Sequence, residues 1–173
     1  MRNVLLKDFF NKDAFLVAED LLGKYLVRSH RGKERAVMIT ELELYDGVED
    51  KASHASRGLT ERNKPMFGEA GHFYVYLVYG MHNMLNIVCR EKGYPSAILI
   101  RASNEISGPA RLTKELKIDR TLNQKAAMPS SGLWFEDRGV LIDKKKIKKT
   151  KRVGVEYAGP IWSEKLYRFL IEK

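Results

Sequence analysis

Glu41, Glu43 and Tyr45 alternate along AVMITELELY (residues 36–45), so a pleated strand would turn two carboxylates and a phenol to one face. A carboxylate in such a place can take a proton from water and steady a developing positive charge. The pattern alone leaves that face open to two readings, a solvated outer surface or the floor of a cleft. On the other face Ala36, Met38, Leu42 and Leu44, interrupted by Thr40, are expected to pack on the core. The loop that follows, DKASHASRGLTERNKPMF, holds His54 among small residues and then Arg57, Arg62, Asn63 and Lys64. His54 alone could be a hydrogen-bonded structural histidine or a site residue. The cations suit phosphate, although a solvated loop would read the same way.

A second set of candidates lies in YVYLVYGMH (74–82). Regular pleating puts Tyr74 and Tyr76 on one face and Tyr79 on the other, so Tyr76 could line a cleft with Tyr45. Two phenols facing each other make either core packing or a slot for a flat heterocycle. The turn is harder to explain as packing. Hairpin tips favour Asn, Asp, Gly or Ser, yet Gly80 sits between Tyr79 and Met81.

The elements that must position these residues are legible in outline. NKDAFLVAEDLL (11–22) has helical spacing and a stop at Gly23; KYLVRS and AVMITELELY read as strands joined by the charged turn HRGKER. Residues 46–72 form a long polar loop, 73–79 and 83–89 a hairpin, and SAILIRA (96–102) a further strand. Gly108 and Pro109 open a short helix. The pattern is weak from about Asn123 to Gly139. GVLIDKKKIKKTKRVGVEY reads as two strands around a lysine-rich bend, and KLYRFLIEK as a last strand. Meandering strands with few helices predict an α/β protein in the broad sense: a single mixed α+β domain over 1–173, with a curved, largely antiparallel sheet and a protruding β-hairpin.

Lysine and arginine number 31 against 22 acidic residues, a net charge of +9, which points to a polyanionic partner, nucleic acid ahead of an anionic membrane. No apolar run approaches the length of a membrane span and the N-terminus is interrupted by charge, so an intracellular protein without membrane attachment is expected. Cys89, the single cysteine, excludes internal disulfides, and its LNIVC setting predicts a buried core thiol. No Cys or His pair has metal-ligand spacing, so neither metal nor cofactor is expected.

ELELYDGVEDKASHASRGLTERNKPMF, YVYLVYGMHNMLNIV, AILIRA, GPARL and RVGV follow one another in a fixed order. In this the chain resembles the alkyladenine (3-methyladenine) DNA glycosylase family from about residue 20 to about residue 170. The resemblance implies that Glu43 is the general base that activates water, with Arg101 and the carbonyl of Val153 beside that water. It makes Tyr45, His54 and Tyr76 the residues that stack on or contact an extruded base, and Asn86 the one that screens its exocyclic substituent. Tyr79 would enter the duplex in the base's place, with Met81 and His82 at the same tip, while Arg57, Arg62 and Asn63 would meet the DNA backbone. The implied partner is double-stranded DNA containing a damaged purine, bound by a monomer.

The implied chemistry follows from charge. Purines methylated at ring nitrogens leave as neutral bases, so the difficult step is placing water against an oxocarbenium-like sugar. Electron-rich tyrosine faces favour such a cationic base by about 0.5–2 kcal/mol. No lysine stands out as an imine-forming nucleophile, so hydrolysis without strand cleavage is expected; no acid for neutral lesions such as hypoxanthine is evident. The alternative on residues alone is a non-catalytic basic domain with an aromatic stacking platform, to which Glu43 would contribute nothing.

Overall fold

The computed structural model describes residues 2–172. A two-residue strand β1 (Asn3–Val4) and one turn of helix α1 (Lys7–Phe10) precede α2 (Ala14–Leu21). The expected helix over 11–22 starts late because Asp13 caps it, accepting from the N–H groups of Phe15 and Leu16 at 3.0 and 3.2 Å. Its stripe of Ala14, Val17, Ala18 and Leu21 is fully buried. Next come β2 (Tyr25–His30) and the long β3 (Lys33–Asp46), joined at Arg31 and Gly32, both at positive φ.

The remaining strands are β4 (Phe73–Val78), β5 (His82–Val88), β6 (Ser96–Ser103), β7 (Leu133–Asp137), β8 (Ile147–Thr150) and β9 (Arg168–Ile171), with α3 at Pro109–Glu115 and α4 at Gly159–Ser163. They form one open sheet in the order β1-β7-β2-β3-β6-β5-β4, with β9 also on β3 and β8 on β9. Every pairing is antiparallel. The expected mixed α+β architecture therefore holds. The main core lies on one face, where Leu42, Leu44, Ile98 and Ile100 meet α2 and α3 residues such as Val17 and Leu112. A smaller cluster of Ala55, Met66, Tyr74, Val88 and Ala97 lies on the other face, beneath the 46–72 loop.

Two details correct the reading of β3 and the C-terminal third. Val37 and Ile39 are the buried residues of the first half of β3, and Met38 is only half-buried, so Ala36 and Met38 do not form its core face. The register with β6 passes from Ile39↔Ser103 to Glu41↔Ala102 to Leu42↔Ile100, leaving Thr40 unpaired on one strand and Arg101 on the other. These two opposed bulges switch the parity of β3 halfway along, so Leu42 and Leu44 point inward and Glu43 to the opposite side. In the C-terminal third, β7 occupies an interior position between β1 and β2, from a segment whose pattern was too short to read. GVLID is not a strand: Gly139 turns on an N–H to Asp137 Oδ1 bond of 2.8 Å, and Leu141 is exposed. Pairing starts within the lysine run at Ile147, and Gly154, at φ 72°, stops RVGVEY from extending.

Candidate active site

The register of the sheet assembles the site. Across neighbouring strands Tyr74 lies opposite Asn86, Asn86 opposite Leu99, Leu99 opposite Glu43, and Glu43 opposite Arg168. Directly opposed residues share a face, so Tyr74, Asn86 and Glu43 come to the same side of the sheet. Tyr76 and Tyr45, each two residues on from a member of that row, fall on the same face. The alternation from Leu42 onward, which marked Glu43 and Tyr45 as neighbours, is what places them there.

Glu43 is completely enclosed. Its Oε1 accepts the Val153 N–H at 2.8 Å, its Oε2 accepts the Tyr45 hydroxyl at 2.9 Å, and Arg101 Nη1 stands 3.4 Å from Oε2. A carboxylate offers about four acceptor directions, so at least one stays free on the Oε1 side. Arg101 projects from its bulge and is steadied by Glu41, whose Oε1 accepts from both Arg101 Nε and Arg168 Nε at 2.8 Å. Burial first, and the Glu43 charge second, push the Tyr45 phenol well above its ordinary pKa, so it stays a proton donor to Glu43.

Beside this carboxylate Tyr45, His54, Tyr74, Tyr76, Asn86 and Tyr157 enclose a slot of about 330 Å³, counted out to its open mouth. Its walls brace one another: the rings of Tyr74 and Tyr76 are 5.0 Å apart, and His54 meets Tyr76 edge-on at 4.7 Å. Asn86 spends its amide N–H on the Tyr74 carbonyl at 3.1 Å. Burial raises the Tyr76 phenol above the ordinary range and takes Tyr74 to about 12.

His54 Nδ1 lies 3.0 Å from the Tyr74 hydroxyl, and burial, aided by Arg62 and Arg57, lowers its pKa to about 4. The imidazole is neutral at physiological pH. An unfolded chain would protonate it near 6.5, so between 6.5 and 4 the unfolded state binds more protons and folding weakens as pH falls. Urea unfolding should show a loss at pH 5 relative to pH 7 of which about 2 kcal/mol disappears in His54→Gln. An unchanged pH dependence in that variant would contradict a neutral, buried His54.

From the mouth of the slot a groove runs along Lys51, Ser56, Arg57, Thr60 and Arg62. Arg57 is exposed there. Arg62 is partly engaged, its Nη2 donating to the Leu77 carbonyl at 3.1 Å and its guanidinium lying 5.4 Å from the Tyr76 ring centre. Asn63 is turned inward, 1% exposed: its amide N–H groups hold the His54 and Gly58 carbonyls at 3.0 and 2.7 Å, and its Oδ1 takes the Thr60 N–H at 2.7 Å. The hairpin tip stands clear. Tyr79 is 88% exposed, Met81 70%, and His82 is exposed too. In the lysine run, Lys144 and Lys149 reach Glu19, Lys148 reaches Glu172 and Lys151 reaches Glu164. Cys89 is a buried thiol, as expected, with burial driving its pKa up.

Three contributors were not visible in the sequence. Arg152, read as the end of a charge run, is buried and forms a two-point pair with Asp50 at 2.5 and 2.8 Å. Tyr157 lines the slot and donates to the Ala52 carbonyl at 2.8 Å. Arg168 shares Glu41 with Arg101. In each case the partner lies far away in sequence, so spacing carried no signal.

The family model for methylpurine-DNA glycosylase (MPG) matches residues 8–106 and 103–173. A protein of Methanocella arvoryzae (strain DSM 22066 / NBRC 105507 / MRE50) is 43% identical over 90% of this chain and 86% of its own length. One of Legionella pneumophila (strain Paris) is 42% identical over 97% and 94%, and one of Clostridioides difficile (strain 630) 35% over 96% and 99%. All three carry the name "Putative 3-methyladenine DNA glycosylase". An enclosed carboxylate beside an aromatic slot thus sits in a chain that belongs to the methylpurine-DNA glycosylase family, hydrolases of N-glycosidic bonds in alkylated DNA.

Proposed function

We propose that the protein extrudes an alkylated or deaminated purine from duplex DNA and hydrolyses its N-glycosidic bond with water activated by Glu43, the first step of base excision repair. 3-Methyladenine, 7-methylguanine, hypoxanthine and ethenoadenine are the substrate class. The observation that carries the reading is Glu43: a fully buried carboxylate, held at three points, adjoining an aromatic slot in a basic chain. Burying a charge is costly unless it is used or fully paired, and here one acceptor direction remains open.

In this mechanism the base enters between Tyr45 and Tyr76, with His54 and Asn86 at its edges, and Glu43 takes the proton from water as the sugar gains positive charge. Arg101 and Val153 fix the carboxylate's orientation; the Val153 contribution that the geometry supports is its N–H, alongside the carbonyl role the family implies. A cationic methylated base needs no acid on leaving. Lys51, Arg57 and Arg62 line the approach for phosphates, and Asn63 acts by holding that loop together. The reading is tested by incubating the folded protein, without added metal, with dimethyl-sulfate-treated duplex DNA: free 3-methyladenine and abasic sites are expected, and their absence would overturn it.

Tyr79 is the proposed wedge. Its φ of 52° is left-handed, a conformation costly for a bulky residue and unrewarded here by packing. Residence there is not explained by stability. Tyr79→Asn should therefore stabilise the free protein by about 0.5–1 kcal/mol in urea unfolding while lowering affinity for lesion duplex at least several-fold. A variant that is less stable and binds equally well would remove Tyr79 from the role.

A further inference from the structure

The hairpin that carries Tyr79 is held from both sides at one register position. Leu77 and Asn83 face each other across β4 and β5, one pair before the pair Val78↔His82 that closes the three-residue loop, in which Met81 N–H bonds to the Val78 carbonyl. Hydrogen-bonded and non-hydrogen-bonded pairs alternate in an antiparallel ladder, so at Leu77 and Asn83 both carbonyls point outward. Neither finds a strand. β4 is the sheet edge, and β6 pairs with β5 only from Asn86 to Val88. Instead Arg62 Nη2 donates to the Leu77 carbonyl at 3.1 Å, and Thr113 Oγ1, 2% exposed on α3, donates to the Asn83 carbonyl at 2.8 Å. Further down β4 the same edge is occupied by chain segments: Phe73 exchanges bonds with Gln124 and Lys125, and Val75 N–H donates to Asn123 Oδ1 at 3.0 Å. Beyond Leu77 and Asn83 the pair Val78↔His82 joins the two strands before the tip.

We infer that Thr113 is a positioning residue for nucleotide extrusion, fixing the hairpin against α3 near the tip so that the exposed tip meets the duplex as a rigid wedge. A wedge on a loose stalk would yield as it enters the stack, and the cost of unstacking would fall on the hairpin rather than on the DNA. The same hydroxyl lies 3.0 Å from the Ala110 carbonyl of its own helix, so its single proton is shared between helix and hairpin. Arg62 completes the clamp from the opposite edge, which gives the loop bearing the slot's His54 a direct mechanical link to the wedge. The inference rests on the proposed role of Tyr79.

The test compares wild type, Thr113→Val, Thr113→Ser and Tyr79→Asn for release of 3-methyladenine from DNA treated with dimethyl sulfate either native or after heat denaturation, with thermal melting of each protein alongside. Thr113→Val, nearly the same shape, should lose about five- to tenfold on native DNA and less than twofold on denatured DNA, and Thr113→Ser should recover most of the loss. Equal losses on both DNA forms, or failure of Ser to recover, would reduce Thr113 to a structural residue and overturn the inference. If Tyr79→Asn loses release from native DNA and Thr113→Val does not, the clamp fails while the wedge stands. If neither loses it, the wedge itself is wrong and the clamp goes with it.

Discussion

Glu43→Gln should bind lesion duplex as tightly as wild type or more tightly, and release base at least about 10²- to 10⁴-fold more slowly. The surroundings of the side chain make this a clean substitution. The amide oxygen can stay on the Val153 N–H, and the new NH₂ can donate to the Tyr45 hydroxyl, which is able to reverse its role from donor to acceptor. Only the 3.4 Å approach of Arg101 loses its charge partner, and Arg101 keeps Glu41 at 2.8 Å. Removing a negative charge close to a polyanion also works in favour of binding. Single-turnover release from methylated duplex DNA, with affinity measured by anisotropy on the same duplex, separates the two effects. Retained turnover would remove Glu43 from its role as base, and lost binding would show that its charge is structural.

How far the sequence led depended on the range over which each interaction acts. Alternation from Leu42 to Tyr45 was enough to pair Glu43 with Tyr45, because a strand has a period of two and nothing interrupts it there. The same alternation failed for Ala36 and Met38 because the bulge at Thr40 is set by pairing with β6, which the local pattern does not contain. Arg101 is the counterpart: its unpaired position in β6 lets it lean toward Glu41 and Glu43, an arrangement that neither strand specifies alone. Tyr79 was legible for the opposite reason, as a residue that turn chemistry disfavours. Asn63 shows the limit of reading by residue type. A polar residue beside arginines suggested contact with solvent or phosphate, whereas three hydrogen bonds within its own loop bury it. β7 escaped notice since five residues, LWFED, between irregular segments give no period to count.

The largest effect on stability is expected at the pair that the sequence concealed. The side chains of Arg152 and Asp50 are both fully enclosed, and Arg152 also donates to the Leu44 carbonyl at 2.9 Å and the Trp162 carbonyl at 3.3 Å, while its Nε has no partner among the described residues. Burial by itself would lower the pKa of Arg152; the hydrogen bonds and charge of Asp50 outweigh it and raise it. One guanidinium thereby joins the end of β3, the loop before His54 and, through Trp162, α4. Asp50→Ala would strand that cation in the interior at a cost of about 3–5 kcal/mol, a fall in melting temperature of roughly 10 °C for a domain of this size. Adding Arg152→Met should return much of the lost stability, since a buried ion pair replaced by apolar groups is often nearly neutral. Activity should not return with it. Val153 follows Arg152 directly and supplies the N–H that holds Glu43, so without the guanidinium anchor the carboxylate loses its fixed orientation even in a stable protein. Melting temperature and base release measured on the single and double variants read the two effects separately. A double variant that regains both would show that Glu43 is held in place without Arg152, and one that regains neither would mean that the pair's cost and benefit are not those of a buried charge but of packing around it.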